Sequence, residues 1–134
     1  MNKKAVFSTL WVFVILNYLY CDIMGLMDSG FLKQYLTGKV NGMEINPGFL
    51  LAAAILMEIP MAMVLLSAIL KHKANRWANI IAGIIMTVVQ CATLFAGLPT
   101  KYYLFFSLIE ISATAFIFWY ALKWKDADKL LNAA

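Results

Sequence analysis

Residues 47–70, PGFLLAAAILMEIPMAMVLLSAIL, decide the fold, because Glu58 is the single charged residue in a long and almost entirely apolar run. A helix that crosses a bilayer needs about 20 consecutive, mostly apolar residues. Comparable runs occupy residues 5–27, 77–98 and 102–122. Only helices and closed barrels satisfy their backbone polar groups in lipid, and these runs lack the alternation of barrel strands. The sequence therefore predicts an all-α integral membrane four-helix bundle, with residues 1–134 as a single membrane domain.

The composition supports a membrane protein and excludes several soluble classes. Hydrophobic residues make up 63% of the 134 residues and charged residues 13%, against about 45–50% and about 25% in soluble domains. So few charges could not cover a soluble enzyme. The two cysteines, Cys21 and Cys91, lie in apolar runs without a C-x-x-C motif, so we interpret them as small core residues. The lipid bilayer is the expected partner, and no basic stripe suggests a nucleic acid.

Basic residues lie unequally on the two sides of the predicted spans. Three lie on one side, Lys33, Lys39 and Lys101. Eight lie on the other side: Lys3, Lys4, Lys71, Lys73, Arg76, Lys123, Lys125 and Lys129. Because cytoplasmic loops carry the excess of Lys and Arg, both termini are predicted to be cytoplasmic. The same imbalance argues against a dual-topology dimer.

The first outer loop, residues 28–46, contains signals for local structure. Asp28 is a good N-cap for a short amphipathic helix, with one apolar face formed by Phe31, Leu32, Tyr35 and Leu36. Asn41-Gly42 predicts a tight turn after it. We interpret the loop as a lid over the mouth of the bundle, with a partner-binding loop as the alternative.

Local signals also predict the ends of two spans. Asn46 and Pro47 form an N-cap and a first-turn proline for the second span. Asn75 can cap the third span, and Gly97 with Pro99 would end it.

A polar side chain lies near the centre of each span: Asn17, Glu58, Gln90 and Glu110. At about 1.5 Å of rise per residue these four side chains share one layer. An acid at the bilayer centre costs about 2.5–3.5 kcal/mol even on mild scales, and two close carboxylates cannot both stay ionised. Glu58 and Glu110 are therefore predicted to be protonated or to hold a cation. The alternative is that they act only as hydrogen-bonding contacts between helices.

Helical spacing extends this polar layer along the spans. Tyr18 and Asp22 are separated by one turn on the first span, with Asp22 nearer the outer surface. Three faces are predicted to point inward, formed by Ala54, Glu58 and Ala62, by Gly83, Thr87 and Gln90, and by Ser107, Glu110 and Thr114.

These patterns favour a site that binds a cation, either a proton or a lipophilic amine flanked by Tyr18, Phe95 and Phe106. The predicted function is small-molecule binding or proton-coupled transport. The predicted ligand-binding residues are Asn17, Tyr18, Asp22, Glu58, Gln90 and Glu110. One alternative is a membrane-embedded acid/base enzyme, such as an isomerase or cyclase, that acts on a hydrophobic substrate. Another is a small accessory subunit of a larger complex, and a homo-oligomer stays open. No metal or cofactor is expected, since the single histidine, His72, lies in a loop and no phosphate-binding motif occurs.

Several short segments carry a family resemblance. They are Leu10-Trp11, Asn17-Tyr18, Asp22, Gly30-Phe31-Leu32-Lys33, Phe49-Leu50-Leu51, Glu58-Ile59-Pro60-Met61-Ala62, Asn75-Arg76-Trp77-Ala78-Asn79-Ile80 and Trp119-Tyr120-Ala121. The chain resembles a family of small four-span bacterial membrane proteins without an assigned activity. The resemblance implies a location in the bacterial inner membrane and contributes no catalytic residue or substrate.

Overall fold

The computed structural model of the chain describes residues 2–40, 42–96 and 99–124. These residues form five helices and one hairpin: α1 (Lys3–Met27), α2 (Ser29–Thr37), β1 (Lys39–Val40), β2 (Met43–Glu44), α3 (Pro47–Ile69), α4 (His72–Leu94) and α5 (Lys101–Leu122). Among the described helices, α1, α3, α4 and α5 are long and apolar enough to cross a membrane. The prediction of an all-α bundle is confirmed, and its helices indicate a multi-pass membrane protein.

The four long helices pack as a ring. α1 packs against α3 and α5, and α4 packs against the same two helices. Phe7, near the start of α1, contacts Trp124, just after α5, with ring centroids 5.4 Å apart. Both described chain ends and the α3–α4 turn therefore lie at one end of the bundle, which we call the terminal side. The opposite end, the loop side, carries α2, the hairpin and the α4–α5 connection.

The first loop forms the predicted helix and turn. Asp28 caps α2, since its Oδ1 accepts hydrogen bonds from the backbone N–H groups of Gly30 at 3.0 Å and Phe31 at 3.4 Å. Strands β1 and β2 pair antiparallel, and Gly42 has a φ of +81°, a left-handed conformation that favours glycine. Asn41, the other predicted turn residue, lies outside the described residues. Asn46 caps α3 by accepting from the N–H of Phe49 at 2.8 Å, as predicted.

Helix α4 begins earlier than the sequence suggested, at His72 instead of residue 77. The prediction that Asn75 caps this helix was wrong, because Asn75 lies inside the helix and is fully buried. Its Nδ2 donates to the carbonyl oxygens of Ser67 at 2.7 Å and Leu70 at 3.2 Å, so it joins α4 to the end of α3. At the other end of the helix, the predicted stop residue Gly97 lies outside the described residues.

Helices α4 and α5 approach closely at Gly83. A Cβ atom at this position would lie 3.2 Å from the Cβ of Phe118 and 3.2 Å from the carbonyl oxygen of Thr114. The carbon–carbon distance is shorter than ordinary van der Waals contacts between carbon atoms, which are about 3.5–4.0 Å. Glycine at position 83 therefore sets the spacing of these two helices, as small residues commonly do in membrane bundles.

Candidate functional site

Polar side chains join α4 and α5 along the bundle interior. Gln90 Nε2 donates to Ser107 Oγ at 2.8 Å, and Thr87 Oγ1 donates to Thr114 Oγ1 at 2.8 Å. Gln90, Ser107 and Thr114 are buried. The inward faces predicted for these two helices are therefore correct.

Glu110 lies on the same face of α5 and is the most deeply buried acid among the described residues, with 1% of its surface exposed. Its Oε1 has no hydrogen-bond partner in the described part of the chain, and neither has the hydroxyl oxygen of Tyr18, which is 7% exposed. The Glu110 carboxyl lies within electrostatic range of Tyr18, Cys21 and Asp22 on α1. A buried polar atom without a partner is unfavourable, so Oε1 is available to a proton, a water molecule or a ligand.

A cavity of about 520 Å³ opens on the loop side of this acid. Its volume falls in the range of about 300–1,000 Å³ that is typical of small-molecule sites. Every part of the loop side contributes to its wall, which includes Cys21, Asp22, Phe31, Tyr35, Met43, Phe49, Thr93, Tyr102 and Tyr103. Because Phe31 and Tyr35 belong to α2, this short helix covers one side of the cavity.

Tyrosines supply most of the hydroxyl groups around the cavity. Tyr103 donates to Thr93 Oγ1 at 2.8 Å, and Tyr102 donates to Asp28 Oδ2 at 3.2 Å. Burial, together with the nearby Asp22 carboxyl, raises the pKa of Tyr35. Its phenol therefore stays neutral and able to donate a hydrogen bond at physiological pH.

The structure brings only some of the predicted site residues together. Tyr18, Gln90 and Glu110 are buried in the interior, and Asp22 lines the cavity above them. Asn17 is half-buried, and its Nδ2 donates to the carbonyl oxygen of Phe13 in its own helix at 2.8 Å.

Glu58 lies apart from this buried group. Its side chain is exposed on α3, whereas Pro60 and Met63 of the same helix are buried. Residues 58 and 60 are separated by about 200° around the helix axis, so burial of one exposes the other. Ala54 and Ala62 are exposed with Glu58, so the inward face predicted for this helix was wrong. Phe95, predicted to flank an amine, is 83% exposed.

A second polar cluster, which was not predicted from the sequence, lies on the terminal side. Trp11 Nε1 donates to Asn79 Oδ1 at 2.8 Å, and Asn79 Nδ2 donates to Asn75 Oδ1 at 2.7 Å. Ser67 Oγ also lies 3.3 Å from Asn79 Oδ1. All four side chains are fully buried, and we call them the terminal-side cluster. Asn75 and Asn79 lie on the same helix face as Gly83 and Gln90, nearer the start of α4. This spacing could have predicted from the sequence that both asparagines face the interior.

The described residues contain no group of three or more His, Cys, Asp or Glu side chains that could hold a metal ion. Cys21 and Cys91 are free thiols. Searches of curated proteins and of solved structures gave no match. A family model does match, over residues 1–131, almost the whole chain. The chain thus belongs to DUF6326, a family of unknown function.

Proposed function

We propose that the protein binds a lipophilic cation, such as a protonated amine with an apolar tail, in the loop-side cavity. The observation that carries the proposal is an otherwise mostly apolar cavity of about 520 Å³ with Asp22 in its wall. Asp22 is the one charged side chain among the described lining residues. A single carboxylate in a partly desolvated wall attracts cations and repels anions, since electrostatic interactions strengthen away from bulk water.

The ligand's apolar part would pack against the aromatic wall. Phe31, Phe49 and the rings of Tyr102 and Tyr103 supply that wall. Aromatic faces also attract a cation, by about 0.5–2 kcal/mol depending on its desolvation. A tail of this kind reaches the cavity from the surrounding lipid, which suits a site at one end of a membrane bundle.

Glu110, below the cavity, is proposed to contribute to binding of the cation. Its Oε1 is buried and has no hydrogen-bond partner among the residues that the structure describes, and its carboxyl lies within electrostatic range of Asp22. A cation that enters between two acids favours their ionised forms, so binding is expected to release a proton. Gln90 would act indirectly, by holding Ser107 on the face that carries Glu110.

Photolabelling in lipid nanodiscs tests this proposal. The probe is a diazirine-bearing alkyl trimethylammonium, and the control probe is the alcohol of the same chain length. We expect the ammonium probe to label peptides from the cavity wall, and Asp22→Asn to reduce labelling about tenfold, equivalent to ~1.4 kcal/mol. Glu110→Gln should also reduce it. Glu44→Gln, which removes an exposed acid from the same side, should leave labelling unchanged.

The pH dependence of labelling is a second test, and the proposal predicts its direction. The quaternary probe keeps its charge at every pH, so its labelling should fall only as the acids become protonated at low pH. Asp22→Asn should flatten that pH profile. Equal labelling by the ammonium and the alcohol, or labelling unaffected by Asp22→Asn and Glu110→Gln, would show that the cavity does not select cations.

A further inference from the structure

The outer face of α3 is the least covered part of the bundle. In the most apolar part of α3, 11% of residues are buried, against 33% in α4. Along this face, six residues that are separated alternately by four and three positions are all exposed. They form what we call the α3 stripe: Leu51, Ile55, Glu58, Ala62, Leu65 and Ile69.

This spacing has a specific structural meaning. Positions separated alternately by four and three residues follow a repeat of 3.5, which is the seam of two helices packed at about 20°. Lipid chains can cover the apolar members of the stripe. They cannot satisfy Glu58, because hydrocarbon offers no hydrogen-bond partner to a carboxyl group at the centre of a span.

We propose that the α3 stripe is the interface of a parallel homodimer in which Glu58 of each protomer hydrogen-bonds Glu58 of the other. Copies inserted with the same orientation are related by a twofold axis along the membrane normal, so their Glu58 side chains lie at equal depth. A protonated carboxyl both donates and accepts a hydrogen bond, so two of them satisfy each other without any other group.

The neighbours of Glu58 in the stripe fit this arrangement. Ala62, one turn further along, is small enough to let two helices approach closely, as at other membrane-helix interfaces. Ile55 and Leu65 lie on either side of the acid, and each is 62% exposed. They would interdigitate with the same residues of the second copy as knobs into holes.

Cysteine cross-linking in proteoliposomes tests the position of the interface. On a background with Cys21 and Cys91 replaced by alanine, Ile55→Cys and Leu65→Cys should form disulfide-linked dimers on oxidation. Val88→Cys on α4 is the matched control, since Val88 is 61% exposed but lies off the stripe. Cross-linking at residue 88 equal to that at residues 55 and 65 would overturn the proposal. So would a purified chain that stays monomeric, with cross-links in intact membranes only to a different protein.

Substitution of the acid tests its role in the dimer. Glu58→Gln keeps a self-complementary hydrogen-bonding group and should change the dimerisation constant less than twofold, measured by dilution of fluorescently labelled protein in bilayers. Glu58→Leu removes the hydrogen bonds and should weaken dimerisation about three- to tenfold. Because Glu58 is exposed, neither change should alter thermal stability of the single bundle. If Glu58→Leu dimerises as well as the unmodified chain, the proposed pairing is wrong.

Discussion

Trp11 and Asn79 join α1 to α4 across the bundle interior, through a hydrogen bond of 2.8 Å from the indole Nε1 to the amide Oδ1. Both side chains are fully buried. Ser67 of α3 contacts the same amide, so three of the four spans meet at one point on the terminal side. Backbone hydrogen bonds stabilise each helix separately, whereas this cluster fixes the rotation of three helices relative to one another.

The first prediction is that Asn79→Ala destabilises the bundle by about 1–3 kcal/mol. A single interhelical hydrogen bond in a membrane protein is worth only about 0.6 kcal/mol. The expected loss is larger because the change removes Asn79 as the buried hydrogen-bond partner of two atoms, Trp11 Nε1 and Asn75 Oδ1. The measurement is reversible unfolding in mixed micelles of increasing denaturing detergent.

A double-mutant cycle with Trp11→Phe checks that prediction. The two changes together should cost less than the sum of the single changes, because they remove the same hydrogen bond. Ser112→Ala is the control, since Ser112 is exposed and its hydroxyl donates to the carbonyl oxygen of Leu108 in its own helix. Strict additivity would mean that the Trp11–Asn79 bond does not contribute to stability.

The second prediction concerns the close approach at Gly83. Gly83→Ala should lower the free energy of unfolding by about 1–3 kcal/mol, because the added methyl group forces α4 and α5 apart. Gly25→Ala is a matched control within α1, where the nearest atom to a new Cβ is the Tyr35 hydroxyl at an ordinary 3.9 Å. An unfolding free energy equally affected by both substitutions would contradict the packing explanation.

The third prediction is that Asp28→Ala loosens α2 over the cavity. The substitution removes the N-cap of α2 and the hydrogen bond from Tyr102, and loss of a cap alone costs about 0.5–2 kcal/mol. Amide hydrogen exchange in residues 29–37 should accelerate, while exchange in α3 stays unchanged. Asn46→Ala, which removes the cap of α3, should have no such effect on α2; acceleration by both variants would point to a general loosening of the loop side.

The fourth prediction concerns orientation. The excess of basic residues on the terminal side should place both termini in the cytoplasm. In intact cells, a membrane-impermeant thiol reagent should label Glu44→Cys on the loop side and should spare Lys73→Cys in the first turn of α4, on the terminal side. Both positions are exposed, so accessibility does not bias the comparison. The reverse pattern would invert the orientation, and equal labelling of both would reopen a dual topology.

Sequence reasoning predicted the spans because length and hydropathy determine them, and it predicted the α2 cap and the turn because these depend on neighbouring residues. It predicted inward-facing side chains for both Glu58 and Glu110, which was correct for Glu110 and wrong for Glu58. A sequence shows how a helix is rotated about its axis only where one face of the helix differs in polarity from the others. Helix α4 carries a polar stripe, so Gln90 was assigned to the interior correctly. Helix α3 carries two polar side chains within its span, Glu58 and Ser67, on different faces. The prediction followed the acid, whereas the buried face is the one formed by Pro60, Met63 and Ser67.

The hydrogen bonds between α4 and α5 have a consequence for biosynthesis. Gln90 pairs with Ser107 and Thr87 with Thr114, across a connection only a few residues long. Closing such a short loop costs little chain entropy, so these partners can meet as soon as both helices are in the bilayer. A polar side chain of α5 that leaves the insertion machinery thus finds its hydrogen-bond donor on α4, the helix made immediately before it. The second half of the chain can enter the membrane as a ready-made helical hairpin, which then docks on α1 and α3.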